Sequence, residues 1–124
     1  MRRALLAMAL LVGPAAEAVP QPAQAVYEIH PDLRDCLYPM CGGWFVARVN
    51  QAQMRCPNGS MAAQCYVLEI DWPALGLDPA DETALIAEAY QDRVLVRASQ
   101  YGVNVPNFGW FGALRPSRAW VEFP

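Results

Sequence analysis

The residues best equipped for chemistry are four cysteines: Cys36, Cys41, Cys56 and Cys65, the only ones in the chain. Thiols at this density can form disulfides, hold a zinc ion or run redox exchange. The intervals hold four, fourteen and eight residues, with no Cys-x-x-Cys pair. That spacing disfavours a zinc knuckle and a redox centre, so two disulfides are expected, with no metal and no cofactor. Four cysteines allow three pairings. Cys56 and Cys65 flank the turn signal Asn58-Gly59, which favours the local pairing Cys36–Cys41 with Cys56–Cys65. A crossed pairing, Cys36–Cys56 with Cys41–Cys65, stays open.

Other reactive groups are sparse. His30 is the only histidine, so a Ser-His-Asp or Cys-His hydrolase would have to use it as base. It sits beside Pro31 with no Gly-x-Ser-x-Gly elbow anywhere, and reads as a solvated loop residue. Glu69, Asp71 and Glu122 are the carboxylates that glycoside chemistry would need. They read more simply as acids on a solvated strand face. No phosphate loop, dinucleotide fingerprint or metalloprotease helix is present. No catalytic residue is therefore assigned. Residues 104–112 offer binding instead: Phe108, Trp110 and Phe111 follow a polar loop, and Arg115 and Arg118 come next. Aromatic and Arg side chains commonly anchor interfaces. This cluster is the candidate partner-binding rim, although strand register favours a core position for Trp110.

The positioning elements begin with an export signal. Arg2-Arg3 precede the apolar run Ala4–Val12, and Ala16-Glu17-Ala18 follows as a cleavage site, with Ala23-Gln24-Ala25 as second choice. Residues 1–18 are expected to be a signal peptide, 19–25 a flexible lead-in and 26–124 one globular domain. The apolar run is shorter than the ~20 residues a membrane span needs, so no stable insertion is expected after cleavage. The mature chain carries seven Arg against eleven acids and no Lys. That balance disfavours nucleic acid and anionic membranes as partners. Abundant Arg, Ala and Pro without Lys suggest a GC-rich bacterial genome. Seven acids and no Arg lie between Glu69 and Asp92, and four Arg with one acid follow. The two segments are expected to neutralise each other in the fold.

Alternation predicts strands over 26–30, 44–51 and 65–72, the second an interior one, and further strands over 93–99, 110–114 and 119–123. In the third strand Tyr66, Leu68 and Ile70 share one face, and Val67, Glu69 and Asp71 the other. Asp78-Pro79 starts the one convincing helix, with Leu85, Ile86, Ala89 and Tyr90 on its apolar face. The order suits an α+β fold: a small antiparallel β-sheet, or an OB-like partly open barrel with one helix, stapled by disulfides.

Cys36-Leu37-Tyr38-Pro39-Met40-Cys41-Gly42-Gly43-Trp44, then Cys56-Pro57-Asn58-Gly59, Cys65-Tyr66-Val67 and Ile70-Asp71-Trp72 resemble a bacterial family of small secreted or envelope proteins. That family is known only as a domain of unknown function. The resemblance covers most of residues 27–122. Asn58 stands where Asp is usual, and Ala98 follows Arg97 where Gly is usual. The resemblance implies no activity, cofactor or catalytic residue. The expectation is a secreted or periplasmic, non-catalytic binding or structural module whose partner is a protein or glycan of the cell envelope. The alternatives are a small secreted enzyme acting on envelope polymers, or a secreted inhibitor.

Overall fold

The computed structural model describes residues 23–122; the signal peptide expected over residues 1–18 lies outside them. The strands are β1 (Gln24–Pro31), β2 (Trp44–Arg48), β3 (Met54–Arg55), β4 (Met61–Ala62), β5 (Cys65–Val67), β6 (Glu69–Ile70), β7 (Val94–Val105) and β8 (Gly109–Val121). A short 3-10 helix, Trp72–Leu75, and one α-helix, α1 (Pro79–Ala89), lie between β6 and β7. Strand β1 starts earlier than expected and takes Gln24 and Ala25 out of the lead-in, because both pair with β7.

Six strands form one sheet in the order β5-β2-β1-β7-β8-β6, and β3 and β4 form a separate hairpin. The two edge strands are neighbours in sequence, with Leu68 alone between them. A flat six-stranded sheet would hold its edges roughly 24 Å apart, at ~4.8 Å per strand spacing. The chain from Val67 to Glu69 can span only about 7 Å. The sheet must therefore curl until its edges come together at Leu68; it is a curled mixed sheet and not a closed barrel. Every strand pair in this sheet is antiparallel except β6 with β8, which is parallel at the seam. As expected, β2 is interior, between β1 and β5.

The seam overturns one reading of facing. Cys65 and Val67 are buried, as are Leu68 and Ile70, while Tyr66 and Glu69 are not. The alternation changes phase at Leu68 because this residue belongs to neither ladder. Its N–H leaves the β2 partnership and donates to the Gly112 carbonyl at 2.7 Å. From there the chain follows β8.

The hairpin β7–β8 also departs from the expected pattern. The predicted break at Pro116-Ser117 is a β-bulge inside one continuous strand: Arg97 faces Arg118, Ala98 faces Pro116, and Ser117 is the extra residue. Proline lacks a donor, but β6 covers β8 only at Ala113 and Leu114, so no ladder bond is lost on that side.

The core is built on Ile29, Val46, Val67, Val94, Val96 and Leu114, all fully buried. Trp44 and Trp72 meet edge to face at 5.8 Å, a favoured aromatic geometry. Helix α1 adds Leu85 and Ala89 to the same core. Asp78 caps it by accepting from the Asp81 N–H at 2.9 Å, with Pro79 at its first position. Tyr90, at its C-terminal end, lies half exposed against Trp44 with centroids 4.9 Å apart.

Both disulfides follow the local pairing, Cys36–Cys41 and Cys56–Cys65, with Cα separations of 5.6 and 5.4 Å. Such bonds fit an oxidising environment. Among the described residues, no helix is long and apolar enough to cross a membrane.

Candidate functional site

A cleft of about 770 Å³ opens between the outer half of the β7–β8 hairpin and the disulfide-closed β3–β4 arm. Gly102 and Gly112 face each other across β7 and β8 and form its floor. Trp110 forms one side and is 74% exposed. Its benzo ring rests against Gly102, where an added Cβ would lie 3.2 Å from Cε3. Pro57 of the arm lies over Gly112 so closely that a Cβ there would overlap the proline ring. The two absent side chains thus let Trp110 and Pro57 pack directly on the paired strands.

The polar lining comes from Asn58, Ser60, Gln64 and Gln100; Tyr66 and Tyr101 also border the cleft, with their hydroxyls bonded to Pro39 and Glu69. No lining residue is charged. Asn58 Oδ1 accepts from the Ser60 N–H and hydroxyl at 3.0 and 2.7 Å, which sets the turn at the arm's tip. Gln100 Nε2 lies 3.2 Å from the Tyr27 hydroxyl and 3.3 Å from the Arg55 carbonyl oxygen. It ties the cleft to the core and to the arm. A second cleft, about 460 Å³, shares Cys56, Pro57 and Gln100 with the first but includes Arg48 and Arg55. Charge therefore distinguishes the two sides of the arm.

The five rim residues do not form one surface. Trp110 and Phe111 border the cleft, and Phe108 is exposed at the hairpin tip. Trp110 is not core. Alternation does put it on the face of Gly112 and Leu114, but the hairpin runs past the end of the core and its inner face opens there. Arg115 lies on the opposite face, where its Nε donates to Asp71 at 3.2 Å and its guanidinium stacks 4.1 Å over Tyr101. Arg118 lies opposite Arg97 and over Trp120. From sequence, Asn58 is a turn residue, and no site role falls to Asn58, Ser60, Gln64 or Gln100. Only the folded arm brings them together.

The candidate acids and base have structural partners. Glu69 accepts from the Tyr101 hydroxyl at 3.1 Å. Burial, and then that carboxylate, raise the Tyr101 phenol above its ordinary range. Glu122 is eight residues along β8 from the partner of Ile70, roughly 25 Å at ~3.3 Å per residue, so the three carboxylates do not converge. His30 is not in a loop. It lies in β1, where Nδ1 is 2.8 Å from Asp92 Oδ1 and Nε2 is 3.4 Å from Glu28 Oε1. Asp92 adopts φ 61° just after α1, and its side chain joins the helix end to the sheet. The acidic and basic segments neutralise each other in part, through Arg93–Glu88 and Arg115–Asp71.

One family model decides the kinship of this fold: Domain of unknown function (DUF6748) matches residues 25–123. The chain belongs to this family. No curated protein and no solved structure matches it.

In this DUF6748 domain the segment from Cys36 to Gly43 is held by a buried polar cluster. The Asp32 side chain is fully buried and accepts from Arg34 Nε at 3.0 Å, Arg34 Nη2 at 2.9 Å and the Arg34 N–H at 3.0 Å. It also accepts from the Gly42 N–H at 3.3 Å. Arg34 reaches on to the Met40 carbonyl and packs its guanidinium near the Phe45 and Tyr66 rings. Tyr66 donates to the Pro39 carbonyl at 3.0 Å and accepts from the Gly43 N–H at 3.1 Å. Burial raises its phenol, so the neutral form is kept. The loop so fixed turns Pro39 inward and leaves Leu37, Tyr38 and Met40 exposed.

The Arg34 side-chain hydrogen bonds hold the Asp32 carboxyl below its ordinary value of 3.8. A carboxylate with a lowered folded pKa contributes stability above its unfolded pKa and loses it as pH falls through the folded one. The wild-type domain is therefore expected to lose stability on acidification below about pH 4. Asp32→Asn should be less stable at neutral pH, with a flatter acid limb. Thermal unfolding from pH 7 down to pH 2.5 measures this. Parallel acid limbs would show that Asp32 is not the responsible group.

Proposed function

We propose that this domain is a non-catalytic binding module, exported to the envelope of a bacterial cell, and that the Trp110 cleft is its ligand site. The observation that carries the proposal is the exposure of Trp110 beside a preformed cleft. An exposed aromatic side chain beside a preformed cleft is a common anchor for a bound partner. Here the site is built on paired strands and closed by a disulfide, which keeps it preorganised for binding. The disulfides fit an extracytoplasmic setting, and the Arg2-Arg3 leader with its apolar run supplies the route.

Co-sedimentation of the oxidised domain with the insoluble polymer fraction of its own envelope tests this reading. The wild type is expected in the pellet and Trp110→Ala in the supernatant, with no soluble fragments released from the polymer. Fragment release abolished by Glu69→Gln or Asp71→Asn would replace the module with an enzyme. Trp110→Ala should cost less than about 1 kcal/mol of stability, as exposed positions do. A loss of about 3–5 kcal/mol, the range for a buried aromatic, would return Trp110 to the core and end the proposal.

A further inference from the structure

Building on that reading, we infer that the Trp110 cleft takes an uncharged saccharide, with one sugar ring stacked on the indole. The ligand's chemistry follows from what lines the cleft. The lining holds no Asp, Glu, Arg or His, so a charged ligand group would lose its hydration without gaining a counter-charge. The polar groups present are amides and hydroxyls: Asn58, Ser60, Gln64 and Gln100. Asn58 keeps its amide donors, Gln100 and Ser60 keep acceptor oxygens, and Gln64 can do both, so donors and acceptors are offered together. A sugar hydroxyl also does both, which makes these groups a better match for hydroxyls than for a carboxylate or an ammonium.

Trp110 supplies the other half of the match. One part of its benzo ring is against Gly102, and the side chain is otherwise 74% exposed. A flat apolar surface next to hydrogen-bonding amides suits a molecule with an apolar C–H face and a polar rim. A pyranose ring has that form. Asn58 uses Oδ1 on Ser60, and its amide nitrogen has no hydrogen-bond partner among the described residues. That nitrogen is a donor on the cleft wall. The cleft volume lies within the range of small-ligand sites. Arg48 and Arg55 are on the other side of the arm, in the second cleft.

Titration calorimetry with soluble oligosaccharides separates these possibilities. The probes are neutral hexamers of glucose, xylose and N-acetylglucosamine, with oligogalacturonate as the charged control. At least one neutral series is expected to bind saturably, and oligogalacturonate is not. Trp110→Ala should weaken that binding by roughly thirtyfold, the size of a binding hot spot. Trp110→Phe, which keeps an aromatic platform, should retain most of it. Both variants are checked for unchanged thermal unfolding. Preferential binding of oligogalacturonate, or neutral binding indifferent to Trp110→Ala, would overturn the inference. If no saccharide binds while co-sedimentation with the envelope polymer still depends on Trp110, the saccharide assignment fails and the binding module stands. If co-sedimentation is also absent, both fail.

Discussion

Gly43→Ala is expected to be among the most destabilising single-methyl changes in this domain. Gly43 lies where the Asp32 segment, the start of β2 and the β5–β6 seam cross. Its carbonyl accepts from the Asp32 N–H at 2.9 Å, and its N–H donates to the Tyr66 hydroxyl. A Cβ would overlap the Val67 carbonyl oxygen and lie 2.8 Å from that of Leu68. Both obstacles are backbone, and no rotamer change can move them. Relief would require shifting the β5–β6 segment where the edges of the sheet come together. Overpacking a tight core costs about 1–3 kcal/mol, and a backbone clash belongs at the upper end or beyond. A loss of about 3 kcal/mol would lower the unfolding midpoint by more than about 10 °C in a domain of this size. Gly42→Ala is the control. Gly42 has φ 95° and no atom within 4 Å of an added Cβ, so its replacement meets only backbone strain. Gly43→Ala should cost clearly more than Gly42→Ala in denaturant titration. Equal costs would mean that the seam does not close against Gly43 as described.

Removing the Cys56–Cys65 bond should have a comparable effect, and it should also reach the cleft. The chain-entropy relation gives about 2.5–3 kcal/mol for a loop of this length. Cys65 is buried in the core, and Cys56 packs against it, so Cys56→Ala with Cys65→Ala also leaves apolar volume unfilled. The combined loss is expected at about 3–4 kcal/mol. The bond also fixes the arm bearing Pro57, Asn58 and Ser60, which forms one wall of the cleft. Ligand binding should therefore weaken even at temperatures where the variant stays folded. The Cys36–Cys41 loop is shorter, so its entropic contribution is smaller, about 2 kcal/mol. Its segment is independently held by Asp32, Arg34 and Tyr66. Cys36→Ala with Cys41→Ala should consequently leave cleft binding intact. Equal loss of binding in both double variants would show that the arm does not shape the site.

Local physics made several features legible in the amino-acid order. Asp78-Pro79 marks the helix start because a capping carboxylate and a donor-free residue suit that position only. Cys56 and Cys65 pair across the Asn58-Gly59 turn because the turn brings them close. Strand β2 is interior because both its faces are apolar. The features that escaped depend on partners distant in sequence. Leu68 reverses the facing of its strand because β2 and β8 compete for successive residues of one segment. Ser117 becomes a bulge rather than a break because β7 runs unbroken beside it. His30 meets Asp92 across 62 residues, at a helix end that no local pattern ties to β1. The exposure of Trp110 was decided in the same way. Its alternation is that of a core residue, and only the length of the β7–β8 hairpin carries it beyond the core. Side-chain period is a property of the strand itself. Burial depends on what the rest of the chain lays over it, and at Trp110 the chain lays down two glycines and an open cleft.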